Sequence, residues 1–433
     1  VSRHFAASSR KDIPQGSDEP SGPIPSIIGI ILGGITLYGA YHLFFPAVDS
    51  AKQAKDRFKR WRALATSPDY DSLGPREIRL LVVSPGQRAD PVTCRLQRAN
   101  LEDNPEFEAL SYVWGTDGNT RTITCSGKPC RVMPNLHDAL RNLRFPDRER
   151  VLWVDALCIN QNSPREKGAQ IPLMSSIYGK ASQVLIWLGE PTELSGDGLP
   201  TVRQLNAYLE ANIPAYSGSV EARLAMISLR RLLPSVGALT PQQAAWVARL
   251  NWPAINALLG HAWFRRVWVY QEFAMASKAT VFVGQDSMPL KTLLRPFSHL
   301  AQQPLYRQMA PLSPDAHAAL TAFGEFILFF DEGTAGRRTR WSLLDLVGTG
   351  CLRQATDPRD RIYAFADLAR DVGRLAIGRS CRTTLRLWRR YISALRGGAC
   401  SGTATLRCFA SATKTGRRTD GFHLGCLTGS VHS

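Results

Sequence analysis

The acid Asp155 and the amides Asn160 and Gln161 stand together in VLWVDALCINQNSPREKGAQ, residues 151–170. A tryptophan and a glutamate, Trp268 and Glu272, stand four apart in WVYQEF. The first group follows an apolar run of the kind that fills a buried strand, so Asp155 falls at a strand's carboxyl end. In open α/β sheets that edge collects loop ends and helix N-termini, and ligands bind there. Asn160 and Gln161 then have two uses: to bind a polar ligand, or to satisfy the loop's own backbone groups. Trp268 and Glu272 share a helix face, which sets a carboxylate beside an aromatic surface on which a base could stack. The competing use of Glu272 is an ion pair with Arg265 or Arg266 that anchors the helix. The sequence has no metal-type Cys/His spacing, no Gly-rich phosphate loop and no Ser/His/Asp order, so no other chemistry is indicated.

The elements that must position these groups alternate between strand and helix over residues 78–190. EIRLLVV, FEALSYVWG, VLWVD and SQVLIWLG read as strands, TITC and PCRVM as a small hairpin, and NLHDALRNLR as a helix with Leu136, Leu140 and Leu143 on one face. Strands separated by helices predict a parallel sheet with crossover connections. Ser163, Pro164 and Glu166 form a helix-entry signal: a capping hydroxyl, a proline at the first helical position and a carboxylate three residues after the cap. Pro172 interrupts that helix, and its main turns restart with Met174, Ile177, Tyr178 and Ala181 facing the sheet. Trp153 and Trp187, on either side of this crossover, are expected in the core on neighbouring strands. Residues 195–260 read as a helical insertion, AWFRRVWVYQEFAMA as a strongly amphipathic helix and ATVFVG as a strand.

The 433 residues carry a formal net charge of +17, but residues 51–62 hold +5 and residues 371–433 hold +9, leaving +3 for the rest. A basic nucleic-acid groove on the central domain is therefore not expected. IPSIIGIILGGITLYGAYHLFF, residues 24–45, contains no Lys, Arg, Asp or Glu and would span about 33 Å as a helix, enough to cross a bilayer core. The basic stretch after it reads as a juxtamembrane flank on the negative side of the membrane. The bilayer is thus an expected partner, and the chain a single-pass membrane protein. VSRHFAASSRKD has the composition of a mitochondrial presequence, which makes a mitochondrial membrane one expected location and another intracellular membrane the alternative. The nine cysteines are odd in number and read as reduced thiols, Cys125 and Cys130 among them although they flank the turn CSGKPC.

Several multi-residue blocks in order then carry a resemblance. FEALSYVWG, VLWVDALCINQNSPREKGAQIPLMSSIYGKASQVLIWLG, WFRRVWVYQEFAMA and ATDPRDRIYAF resemble the heterokaryon incompatibility (HET) domain of filamentous fungi, over about residues 78–285 with a trailing piece near 343–368. The resemblance implies a fungal protein of self/non-self recognition and programmed cell death, assembling with itself or with another incompatibility protein. It implies no established reaction. HET domains are similar in turn to Toll/interleukin-receptor (TIR) domains, which are flavodoxin-like sheets; ALSYVWG resembles their first-strand motif, and WVDALCINQ falls at their second strand and the loop after it. TIR domains carry Trp-Cys-x-x-Glu on a helix, matched by Trp268 and Glu272 with Val269 in the cysteine's place. In the TIR domains that cleave NAD this glutamate is catalytic. The resemblance therefore implies Glu272 as the catalytic residue and NAD as substrate, with Asp155, Asn160, Gln161 and Trp268 as ligand-binding candidates. Breaking the nicotinamide–ribose bond builds oxocarbenium-like charge, which a nearby carboxylate stabilises.

The expected fold is a TIR/flavodoxin-like open parallel α/β sheet with flanking helices and a helical insertion, preceded by one transmembrane helix. Its parts are a presequence-like or disordered N-terminus at 1–23, the span at 24–45, a basic linker at 46–77 and the HET domain at 78–290. A helical extension follows at 291–370, then an irregular Arg/Cys-rich tail at 371–433. Three readings stand: a membrane-anchored incompatibility signalling protein, a TIR-like NAD glycohydrolase using Glu272, and a non-catalytic membrane adaptor with a degenerate HET domain.

Overall fold

The computed structural model describes residues 68, 70–115, 119–213, 216, 238–300, 310–329, 343, 346, 353–355 and 360–369. The expected span at 24–45, the segment before it, most of the basic linker and the tail from 371 lie outside the described residues. Among the described residues no helix is long and apolar enough to cross a membrane.

The apolar runs become strands of a nine-stranded sheet: β1 (Glu77–Val83), β2 (Thr93–Asn100), β3 (Glu108–Tyr112), β4 (Arg121–Cys125), β5 (Lys128–Val132), β6 (Arg150–Trp153), β7 (Val184–Trp187), β8 (Ala279–Val283) and β9 (Asp286–Pro289). Their order across the sheet is β5-β4-β2-β1-β6-β3-β7-β8-β9. The central β6, β3, β7 and β8 are parallel. In chain order they stand second, first, third, fourth, the order of flavodoxin-type sheets, with its switch point between β3 and β7. The sheet is nevertheless mixed. β1 with β2, β4 with β5 and β8 with β9 are joined by short connections, and such connections permit only antiparallel pairing.

Covering layers on both faces explain why β7 reads VLIW: a parallel strand buried on each side has no polar positions, and all four of its side chains are buried. Trp153 ends β6 and Trp187 ends β7, both in the core as expected, but β3 lies between their strands, so they are not on neighbours. Trp153 meets Tyr178 edge to face at 5.6 Å, and the Trp187 indole donates to Asn135 Oδ1 at 2.9 Å.

Helix α1 (Pro134–Leu143) carries β5 across to β6 on the face made by Leu136, Ala139, Leu140 and Leu143. After β6 come a single turn, α2 (Asp155–Cys158), then α3 (Pro164–Gln170) and α4 (Met174–Lys180). Pro172 sits in the 3-10 turn Ile171–Leu173 that separates the last two, since its ring cannot continue the α ladder. The segment read as a helical insertion contains α5 (Gly198–Asn212), α6 (Pro241–Ala248) and α7 (Trp252–Leu259).

The amphipathic helix expected over AWFRRVWVYQEFAMA is instead two pieces: a 3-10 turn, Ala262–Arg265, and α8 (Val269–Met275). The break has a cause far along the chain. Gln354 accepts from Val267 N–H at 3.1 Å and donates to the Arg265 carbonyl at 2.7 Å, pulling Arg266 into extended backbone. Nor is α8 amphipathic: all seven of its residues are buried. Three helices follow β9, namely α9 (Leu290–Leu300), α10 (Pro314–Phe329) and α11 (Asp360–Ala366), and the last two pack on this region. Phe323 of α10 stacks on Tyr270 at 5.4 Å and on Trp263 at 5.7 Å, and Phe365 of α11 meets Tyr270 at 5.3 Å.

Candidate functional site

The carboxyl ends of β3 and β6, together with α8, assemble one polar cluster inside this apolar frame. Ser111 of β3 is buried, and its hydroxyl donates to Glu272 Oε2 while accepting from Trp263 Nε1 at 2.6 Å. Both of its hydrogen-bonding capacities are thus used on the two elements that flank the break before α8. Just beyond β3, Trp114 donates its indole N–H to Asp155 Oδ2 at 2.8 Å, and Asp155 Oδ1 accepts from Ala156 N–H at 2.7 Å. Gly115 follows at φ +84°, left-handed backbone that favours glycine. Arg266 lies in the extended link and donates to the Tyr112 carbonyl.

Burial dominates the electrostatics. Glu272 is 3% exposed, and desolvation raises its pKa against the opposing Arg266 charge and the Ser111 hydrogen bond. Asp155 is half-buried, yet loss of water lifts its carboxyl to about 6, with Arg266 opposing the rise and the Glu272 charge adding to it. Two acids and one guanidinium therefore share a single field. Tyr112 and Tyr178 are held well above the usual phenol range, first by burial; among the neighbouring charges, Asp155 and Glu272 raise them and Arg266 opposes.

The residues singled out from sequence divide here. Asp155 and Glu272 come to the same cluster. The Asn160 and Gln161 side chains hydrogen-bond within the loop: Asn160 accepts from Asn162 N–H at 3.0 Å, and Gln161 donates to the Asp155 carbonyl at 2.8 Å. Glu166 ties that loop to the sheet, accepting from Asn160 N–H at 2.7 Å and from both terminal nitrogens of Arg79, at 2.6 and 3.2 Å. Ser163 caps α3 as expected, accepting from Glu166 N–H at 3.2 Å. Trp268 is the N-cap of α8, half-buried, and its carbonyl accepts from Glu272 N–H at 3.1 Å. The indoles that reach the acids are those of Trp263, through Ser111, and Trp114. Arg265 pairs with Asp315 at 2.6 Å and Arg266 donates to the Tyr112 carbonyl, so the group bonded to Glu272 is the Ser111 hydroxyl, with Arg266 acting on the acid through its charge. Ser111, Trp114 and Trp263 were not singled out from the sequence, although LSYVWG and WFRRVW contain them, and Arg266 was weighed there as an ion-pair partner of Glu272 alone. Their meeting depends on strand order.

A deeply buried acid bonded to a serine at the switch point of a flavodoxin-ordered sheet defines an α/β domain with a prepared polar centre. The profile described as Heterokaryon incompatibility protein (HET) matches residues 107–272, from the entry of β3 to the buried glutamate itself. This chain therefore carries a heterokaryon incompatibility domain. It is 26% identical over 340 residues to Heterokaryon incompatibility protein 6, OR allele, of Neurospora crassa, an alignment covering 71% of this chain and 50% of the relative. The chain thus spans about half the length of that relative. No solved structure matches. Among the described residues no cluster of His, Cys, Asp or Glu could hold a metal ion.

Proposed function

We propose that this chain acts in fungal incompatibility, as a membrane-anchored signalling protein whose HET domain passes on a self/non-self decision that ends in cell death. The observation that carries this reading is the domain match over residues 107–272, together with the Neurospora relative. The anchor rests on the charge-free stretch 24–45 and its basic flank. Self-association or a second incompatibility protein supplies the partner. The test is inducible expression of the full chain in a filamentous fungus, beside Trp187→Ala, which removes a core indole and should unfold the domain. Death with the parent and survival with the variant are expected; equal survival of both would remove the reading.

A second reading, a TIR-like NAD glycohydrolase, is favoured by one feature: Glu272 and Asp155 converge at the sheet edge where such folds bind nucleotides. In the described conformation Glu272 is 3% exposed, so a ribose reaches it only after the packing around α8 opens. Glu272→Gln preserves shape and can still accept from Ser111 while removing the charge that an oxocarbenium ion requires. On this reading the full chain releases nicotinamide from NAD, and Glu272→Gln abolishes release and killing together. Killing by Glu272→Gln at the parent's level would leave the domain as a binding module.

A further inference from the structure

We propose that Cys94 and Cys125 are a peroxide-oxidisable pair, whose disulfide clips the β4–β5 hairpin to the body of the sheet. The hairpin is an edge with a thin attachment. β4 pairs with β2 through two residue pairs, Thr93 with Thr124 and Cys94 with Cys125, flanked by Thr124 N–H to the Val92 carbonyl and Ser126 N–H to the Cys94 carbonyl, both at 2.9 Å. Partners in register on adjacent strands lie about 4.8 Å apart and project to one face, within the Cα separations that a disulfide accepts. Both thiols are buried, and the Cys94 thiol donates to the Thr124 carbonyl at 3.5 Å. Cys130 does not compete on geometry. It is paired with Ile123, while Cys125 is paired with Lys128, which makes Cys130 the diagonal neighbour of Cys125, at about 7–8 Å and beyond disulfide reach.

The two sulfurs are also unequal. Contact with Cys94, helped by Ser126, lowers the Cys125 pKa, while contact with Cys125 and burial raise that of Cys94. Cys125 is therefore the thiolate that attacks. Its sulfur attacks one oxygen of hydrogen peroxide, forming the sulfenic acid as the O–O bond breaks, and the departing hydroxide takes a proton to become water. Cys94, losing its proton, then attacks that sulfur, and hydroxide departs with the proton as water. Two thiols are oxidised and one peroxide is reduced. Closed thiols react through local opening, and a two-pair edge ladder is where a sheet opens cheaply. The clip bears on the candidate site because β4 begins at the far end of the connection that starts at Trp114, the indole on Asp155.

The test treats the folded full chain with hydrogen peroxide, blocks free thiols, and maps tryptic peptides without reduction. The expected product joins residues 89–95 to residues 122–131, lighter by two hydrogens than the separate peptides. Because Lys128 precedes Pro129, the second peptide retains both Cys125 and Cys130, so fragmentation must place the bond on Cys125. A Cys130→Ser chain should give the same product. Oxidation should also slow amide exchange across residues 121–132 about ten-fold, reversibly with a thiol reductant. A bond at Cys130, or Cys94 and Cys125 still reduced after a free-thiol peptide added to the same solution has been fully oxidised, would overturn the proposal. So would a linked product in which exchange at 121–132 is unchanged.

Discussion

Asp155 and Glu272 hold protons more readily than free carboxyls because the fold removes water from them faster than Arg266 restores charge balance. For Asp155 the folded value of about 6 stands against 3.8 for the free group. Below both values the acid is protonated in either state and costs nothing. Between them the folded chain binds more protons than the unfolded chain, so stability falls as pH rises from about 4 to 6, by about 3 kcal/mol in all, and the penalty persists above. Asp155→Asn keeps an oxygen for Trp114 or Ala156 and removes the ionisation. The difference in melting temperature between variant and parent should therefore grow in the variant's favour across that window; parallel profiles would show that the carboxylate is better solvated than its surroundings imply. Ser111→Ala tests the other acid. It strands Glu272 Oε2 and Trp263 Nε1 in the interior, at about 1–3 kcal/mol for each orphaned group, so urea unfolding should shift well beyond the loss expected for an exposed serine. At this scale the sequence made Asp155 visible as a carboxylate after an apolar run, and Glu272 through its spacing from Trp268. It hid Ser111, a small polar residue inside a strand, whose use depends on a helix 161 positions away.

Elements differ in legibility for the same physical reason. β7 is plain in sequence because burial on both faces leaves it wholly apolar, and α3 because Ser163, Pro164 and Glu166 announce its start. β2, by contrast, reads TCRLQRAN; its polar positions face water beside β1, and nothing local distinguishes it from a loop. The split before α8 is invisible to periodicity because backbone pairing with Gln354 makes it. Glu166 joins the two levels. The sequence marks it as a helix-entry carboxylate, yet its oxygens reach Arg79 on β1, whose side chain is 3% exposed. Truncating it leaves a buried guanidinium without its partner. Glu166→Ala should therefore cost about 3–5 kcal/mol in chemical denaturation, whereas the double replacement Arg79→Met with Glu166→Met should recover most of that loss. Equal losses in the single and double variants would mean that the pair contributes through packing rather than charge.

At the scale of the whole molecule, the described fold accounts for a domain and not for where that domain works. The proposed anchor rests on residues 24–45, a stretch of bilayer length without a formal charge, followed by six basic residues and one acid in 51–62. On the proposed reading, a tether of this kind would confine the HET domain to two dimensions, raising the effective concentration of neighbouring copies and favouring assembly without any new contact. The chain should therefore remain in the membrane pellet after alkaline carbonate extraction, while a chain lacking 24–45 should move to the supernatant with its domain still folded. Arg substituted at two central positions, Ile31→Arg with Ile35→Arg, adds several kcal/mol to insertion and should have the same effect as the deletion, since the translocon cost is about 3 kcal/mol for each charge at mid-span. If killing depends on crowding at a membrane, both altered chains lose potency, and fusing an unrelated transmembrane helix to the deleted chain restores it. Recovery of the parent chain in the carbonate supernatant would instead make 24–45 an apolar segment with another partner.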